Sequence, residues 1–436
     1  MDSVPRPFQI FLYSVFGVMF VLAIILLSTY SPSGGDGPQA SGSVTVWGVI
    51  ESTEIQPALN DIRGLSGGIT MINYRRLDLR DFDRELNTAI AEGRGPDVVI
   101  IPHTELVTQR AKLFPFSYEQ FTLRDFQDTY IEGFELYARP EGLLAFPLMV
   151  DPLVMYWNRD IFASNGMAQP PRTWEDLVNS TVPSIVRRDF DRRIQMSPVA
   201  MGEYRNNRNA FATISALLMQ GGSSLVTEVD GQYRIRLNHT LQAGQGSPLI
   251  DTARFYSSFA APTEPIYSWN RTFTEDRAQF IAERLALYFG FGSEYRELRR
   301  QNPNLNFDMV ELPQGDGATI RRTYGTYYAV GLLRSANNLN GGFFVAQQLT
   351  TPARAKQIAD RFNMAPAHRS SIAAGNPAPN AQLVYNAALT SRGWLNPNYQ
   401  ATNAAFQQMI EDILAGRRAV GQAAADTVNR IQQTFR

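Results

Sequence analysis

The stretch FPLMVDPLVMYWNRDIF, residues 146–162, decides how the chain is read. It is apolar almost throughout, as a strand buried on both faces should be. Yet Asp151 stands in its middle, between Val150 and Pro152. An unpaired carboxylate is costly to bury. Proline donates no ladder hydrogen bond and belongs at edges, strand starts or bulges. The pattern says strand; two of its residues say that the strand is not ordinary.

Working outward, the neighbouring segments alternate between strand and helix. SVTVWGV, 43–49, reads as a first strand, and GITMINYRR, from Gly68, as a second. DFDRELNTAIAEG, 81–93, carries Phe82, Leu86, Ala89 and Ile90 at helical spacing, with Gly93 as its stop. PDVVIIP, 96–102, follows as a continuous apolar run and predicts a buried parallel strand. Beyond the quoted stretch, PPRTWEDLV opens a helix that Thr173 can cap with Asp176 as partner. Asp160 reads as a second cap. Helices are expected over 209–222 and about 247–260, and a helix capped at Thr274 that gives way to the strand LALYFGF. FDMVELPQ, 307–314, and TYGTYYAVGLL, 323–333, are further strands; late helices follow, the last broken by Gly416. Strands and helices in alternation argue for an α/β fold with a covered sheet.

Composition bounds the function. The 436 residues suit two or three domains, and a net charge of -1 with only isolated arginine pairs argues against nucleic acid as partner. There is no cysteine, which removes disulfides, thiolate metal sites and thiol nucleophiles together. No phosphate-binding loop, zinc-protease helix or nucleophile elbow occurs, and His103, His239 and His368 match no ligand spacing. No cofactor and no metal are expected. Residues 8–30 carry no charge and are long enough to span a bilayer core of about 30 Å. With Arg6 before it and Asp36 after it, this run is expected to be an uncleaved single-pass anchor over residues 1–30, holding the body on the extracytoplasmic side, with a removed signal peptide as the alternative. Residues 31–43, rich in Gly, Ser and Pro, form the expected tether.

Without catalytic motifs, the informative residues are aromatic and polar groups at strand ends and in loops. Trp47 ends the first strand; His103 and Glu105 follow the strand 97–102; Trp269 and Trp394 sit in polar loops. Phe291 and Ser293 follow the strand 285–291, and Tyr324, Tyr327 and Tyr328 open another. In open α/β sheets ligands bind beyond the carboxyl ends of strands. Sugars suit this mixture, since their apolar faces lie on aromatic rings and their hydroxyls bond to polar side chains. The plainer reading is packing: Trp157 and Trp174 are expected in the core, and Trp47 can equally pack at a sheet edge.

Four segments resemble the extracellular solute-binding proteins of ABC importers, in the group of maltose- and multiple-sugar-binding proteins. They are VTVWGV, GRGPDVVIIPH, the quoted stretch followed by PPRTWEDL, and ALYFGFGSEY followed by a strand and LPQ. The third is the most specific, with two phrases in fixed order. The resemblance implies a two-lobed, periplasmic-binding-protein-like clamp of type II, covering about residues 43–430. Lobe 1 would be 44–150 with 326–366, and lobe 2 would be 151–322 with 370–436. It implies an acidic ligand contact at Asp151, a second binding segment near Gln220 and an aromatic one near Phe291. The expected protein is a monomeric, non-enzymatic receptor that closes on a carbohydrate, an oligosaccharide above all, and delivers it to permease subunits. In that frame Asp151 and Pro152 lie where a strand crosses between lobes. The lipid-bearing cysteine common in the family is missing here. Two other readings stay open: a glycan hydrolase, needing two carboxylates roughly 5–10 Å apart, and an adhesion protein.

Overall fold

A computed structural model describes residues 40–119, 121–191, 193–229, 232–239 and 246–435. The expected anchor and all but the last residues of the tether lie outside them. Among the described residues no helix is long and apolar enough to cross a membrane. From Ser41 onward the chain forms one compact unit.

The apolar runs become sheet. In chain order the elements that position the site are β1 (Gly42–Gly48), α1 (Ser52–Leu65), β2 (Ile69–Arg76), α2 (Leu79–Ala91), β3 (Val98–Pro102) and β4 (Phe146–Asn158). Then come β5 (Arg187–Arg188), β6 (Ile194–Val199), α3 (Ala210–Gln220) and the hairpin β7 (Val226–Val229) and β8 (Gln232–Ile235). They are followed by β9 (Leu285–Phe291), β10 (Phe307–Val310), β11 (Thr323–Leu332), β12 (Ala365–Pro366) and β13 (Ser391–Arg392). Two helices close the chain, α4 (Tyr399–Leu414) and α5 (Val420–Gln433). The main sheet runs β2-β1-β3-β11-β4-β9-β6-β5, with β10 and β12 on β4 and β13 on β11.

The 13-residue β4 is the spine of this sheet, and it changes partners in mid-course. Its first half pairs antiparallel with β11, from Phe146 opposite Val330 to Pro152 opposite Gly325. Its second half pairs antiparallel with β9, from Leu153 opposite Phe291 to Trp157 opposite Leu287, and with β10 on its other edge. The exchange falls at Asp151–Leu153, the residues that did not fit an ordinary strand. Side chains alternate across a strand, so β4 feeds two cores. Val150, Val154 and Tyr156 join a cluster with Val99, Phe134 and Tyr327. Leu153, Met155 and Trp157 join one with Leu287, Phe259 and Phe406. A strand buried on both faces has no polar face to show, which is why its sequence reads as one apolar run.

Local signals acted largely as expected. Gly93, at φ +69°, follows α2, and Gly416, at φ +64°, separates α4 from α5. Thr173 accepts a hydrogen bond from the Asp176 N–H at 3.0 Å. Two caps fall elsewhere. Asn158, not Asp160, caps the helix after β4, accepting from the Ile161 N–H at 2.9 Å, while Asp160 accepts from the Asn306 amide at 2.7 Å. β4 pairs with β10 as far as Asn158, opposite Phe307, so the helix begins just after it. Thr274 bonds to the Gln279 side chain instead of capping a helix that starts at Asp276.

Candidate ligand-binding cleft

A cleft of about 310 Å³ opens over the first half of β11, where Thr326 pairs with Asp151 of β4. One wall carries Arg76 at the end of β2, Asp78 at the start of α2 and Thr104 just after β3. The other carries Arg208 and Asn209 at the start of α3 and Phe291 at the end of β9. Tyr324, Thr326 and Tyr328, along β11, supply the base between them. Strand carboxyl ends and a helix amino end thus converge on one crevice, as open α/β sheets arrange their ligand sites. The volume is at the lower end of the roughly 300–1,000 Å³ of small-molecule pockets.

A polar hub fixes the α3 wall. Glu294 accepts from the Asn209 side chain at 3.0 Å, the Phe291 N–H at 3.0 Å and the Tyr288 hydroxyl at 2.5 Å. One largely covered carboxylate therefore ties the start of α3 to the end of β9. Asp276 adds a second tie, accepting from the Arg208 and Arg277 N–H groups. Burial pushes the Asp276 carboxyl up to about 8. Across the cleft, Asp78 accepts from the Arg80 N–H at 3.0 Å as the cap of α2, and that bond holds its carboxyl below the usual range.

Asp151 lies directly under this arrangement. It is 4% exposed, its cross-strand partner is the cleft residue Thr326, and its carboxylate accepts from the Ser293 N–H at 3.1 Å. Burial pushes the carboxyl up to about 7; the Ser293 bonds oppose that rise and the charge of Glu294 adds to it. The strand tolerates this acid because it is bonded and close to neutral, not because it is solvated.

The other expected contacts separate into three groups. Phe291 and Tyr324 line the cleft. His103 and Trp394 stand behind it. The His103 ring is fully buried, accepts from the Tyr327 N–H at 3.2 Å, and lies 3.5 Å from the Tyr324 hydroxyl. Burial lowers it to about 3, so it is a neutral strut for β11. Trp394 stacks on the cleft residue Phe211 at 6.0 Å, with its indole N–H on Ser215 at 3.3 Å. Trp47, Glu105, Gln220 and Trp269 do not line the cleft. Trp47 is buried beneath the Arg75 guanidinium, 4.6 Å away. Glu105 is buried beside Gln109, and burial raises its carboxyl. Gln220 spends its amide on the Pro313 and Arg322 carbonyls at 3.0 and 2.8 Å and accepts from the Trp174 indole at 2.6 Å. Trp269, expected in a polar loop, is fully buried, stacked on Phe273 at 4.5 Å and bonded to Asn206 at 3.0 Å.

Sequence reasoning missed Arg76, Asp78, Arg208, Asn209 and Glu294. Only the last had a visible signal, in the GSEY that follows β9. The others are unremarkable polar residues made functional candidates by where the chain brings them.

Comparison with known proteins bears on the family and the fold. Residues 66–389 match the family model described as bacterial extracellular solute-binding protein. The fold is similar to a cyclo/maltodextrin-binding protein solved with maltotetraose, at TM-score 0.72 and 14% identity over 92% of this chain and 98% of that one. It is also similar to the sugar-binding protein MalE of Xanthomonas citri, at TM-score 0.70 and 16% identity over 90% and 97%. An ABC transporter solute-binding protein of Thermotoga lettingae bound with α-D-tagatose aligns at TM-score 0.66 and 17% identity over 91% and 100%. No curated protein sequence matches. The fold is thus the α/β, two-lobed fold of the maltose-binding proteins. With its family match spanning residues 66–389, the chain belongs to the bacterial extracellular solute-binding proteins, which bind their solutes outside the cytoplasm and are not enzymes.

Proposed function

We propose that this protein captures a carbohydrate in the cleft and delivers it to an ABC-type importer. The observation that carries the reading is the cleft itself: aromatic rings (Phe211, Phe291, Tyr324, Tyr399) interleaved with polar groups, at the place where β4 and β11 pass between two cores. Rings stack on sugar faces and the polar groups bond to hydroxyls. Two lobes, 44–150 with 326–366 and 151–322 with 370–436, close about the ligand by hinge motion at the crossing strands. The volume of about 310 Å³ supports a short saccharide more than a long one. The uncharged run 8–30 is our candidate for a membrane anchor, with permease subunits as the receiving partner.

A thermal-shift and calorimetric screen of mono- and oligosaccharides tests the proposal. A true ligand at one hundred times its Kd stabilises the folded state by about 2.7 kcal/mol, and small-angle scattering should show a more compact particle. No stabilisation by any saccharide would sink the reading, and sustained product release would replace it with a hydrolase.

A further inference from the structure

We infer that the saccharide carries a carboxylate, and that Arg76 and Arg208 grip it from opposite walls of the cleft. The inference rests on the carbohydrate reading above and narrows it. The side chains facing the cleft are rich in hydrogen-bond donors and poor in free acceptor charge. Two guanidinium groups line it, one at the end of β2 and one at the start of α3. Among the described residues each makes one ion pair, Arg76 with Glu51 at 3.1 Å and Arg208 with Glu275 at 3.1 Å. A guanidinium has five N–H donors, so each keeps most of them free. Their side chains are 43% and 48% exposed.

Among the described cleft-lining side chains Asp78 is the single acid against two guanidinium groups, and one of its carboxylate oxygens caps α2 and meets the Arg80 guanidinium. Asp151 and Glu294 are held by the protein's own donors and do not line the cleft. A neutral sugar, whose hydroxyls need acceptors as well as donors, would leave this donor excess unused. Planar guanidinium groups match carboxylates in two-point, charge-assisted bonds. A second observation points to a polar ligand: the Thr104 hydroxyl is buried in the cleft wall without a hydrogen-bond partner among the described residues. Buried polar atoms are rarely left so, and a ring hydroxyl next to the carboxylate would satisfy it.

The test titrates the full-length chain with D-glucuronate and D-galacturonate, with the parent sugars D-glucose and D-galactose, and with glucose 6-phosphate. The expected result is binding of a uronate at least about tenfold tighter than its neutral parent, weakening as salt is raised. Arg76→Gln and Arg208→Gln should each cost the uronate about tenfold or more and narrow its advantage over the neutral parent sugar. Both side chains are half exposed, so circular dichroism should report intact variants. A neutral sugar binding as tightly as its uronate would overturn the inference and leave the carbohydrate reading standing. Binding of the phosphate ester but not the uronates would overturn the carboxylate. Binding of no saccharide at all would remove both.

Discussion

Asp151→Asn should stabilise the protein, and by an amount that grows with pH. The Asp151 carboxyl rises from an ordinary 3.8 to about 7 on folding, chiefly through burial. An acid with a raised pKa favours the folded state only while it is protonated. Its contribution is intact below pH 3.8, is lost as pH climbs from 3.8 to about 7, and stays lost above that. At about 1.4 kcal/mol per pH unit, the gap between 3.8 and about 7 sets an upper bound of about 4 kcal/mol. Asparagine is isosteric, never charges, and its carbonyl can still accept from the Ser293 N–H that now sits 3.1 Å from the carboxylate. The variant and the parent should therefore melt at similar temperatures near pH 4. By pH 8 the variant should be ahead by up to about 5 °C. Thermal melts of both proteins between pH 4 and pH 8, without ligand, measure this directly. A melting difference that does not change with pH would refute the reasoning, because it would mean that Asp151 titrates as an exposed acid.

Three further substitutions test placement. Glu228, on the β7–β8 hairpin, accepts from Arg110 at 3.0 Å and Arg139 at 3.1 Å, and all three are largely covered. If the proposed lobes part there, Glu228→Gln costs the closed state about 1–2 kcal/mol and weakens ligand affinity about five- to thirtyfold; an unchanged Kd would make the cluster purely local. Gln220→Ala strands the Trp174 indole N–H and the Pro313 carbonyl, so denaturant unfolding should show a loss of about 1–3 kcal/mol with ligand affinity intact. Gly133→Ala would set a Cβ about 2.0 Å from the Tyr327 ring, and a loss of about 1–3 kcal/mol is expected from the same measurement.

Much of the scaffold was readable because it depends on neighbours in sequence. Apolar runs such as 97–102 and 146–157 can be satisfied only by strands covered on both faces. Gly93 and Gly416 punctuate helices because they take positive φ at little cost. Where two local signals competed, pairing chose between them: Asn158 caps because β4 stays paired with β10 until that residue. Trp269 and Trp394 misled because a polar loop sequence does not say whether the fold will close over it.

The sequence alone determined that this is an α/β chain built around a long apolar strand with an acid in its middle, without cysteine chemistry or a recognisable catalytic motif. It also carried the family resemblance that the match to residues 66–389 establishes. The tertiary structure decided what surrounds that acid and which residues share its cleft. Arg76, Thr104, Arg208, Phe291 and Thr326 meet at one crevice although they are spread over 250 residues of chain. No local pattern encodes that meeting, because it follows from strand order and from the packing of two cores against the shared strands β4 and β11. Burial, likewise a property of the whole fold, is what turns Asp151 from an ordinary acid into one poised near neutrality.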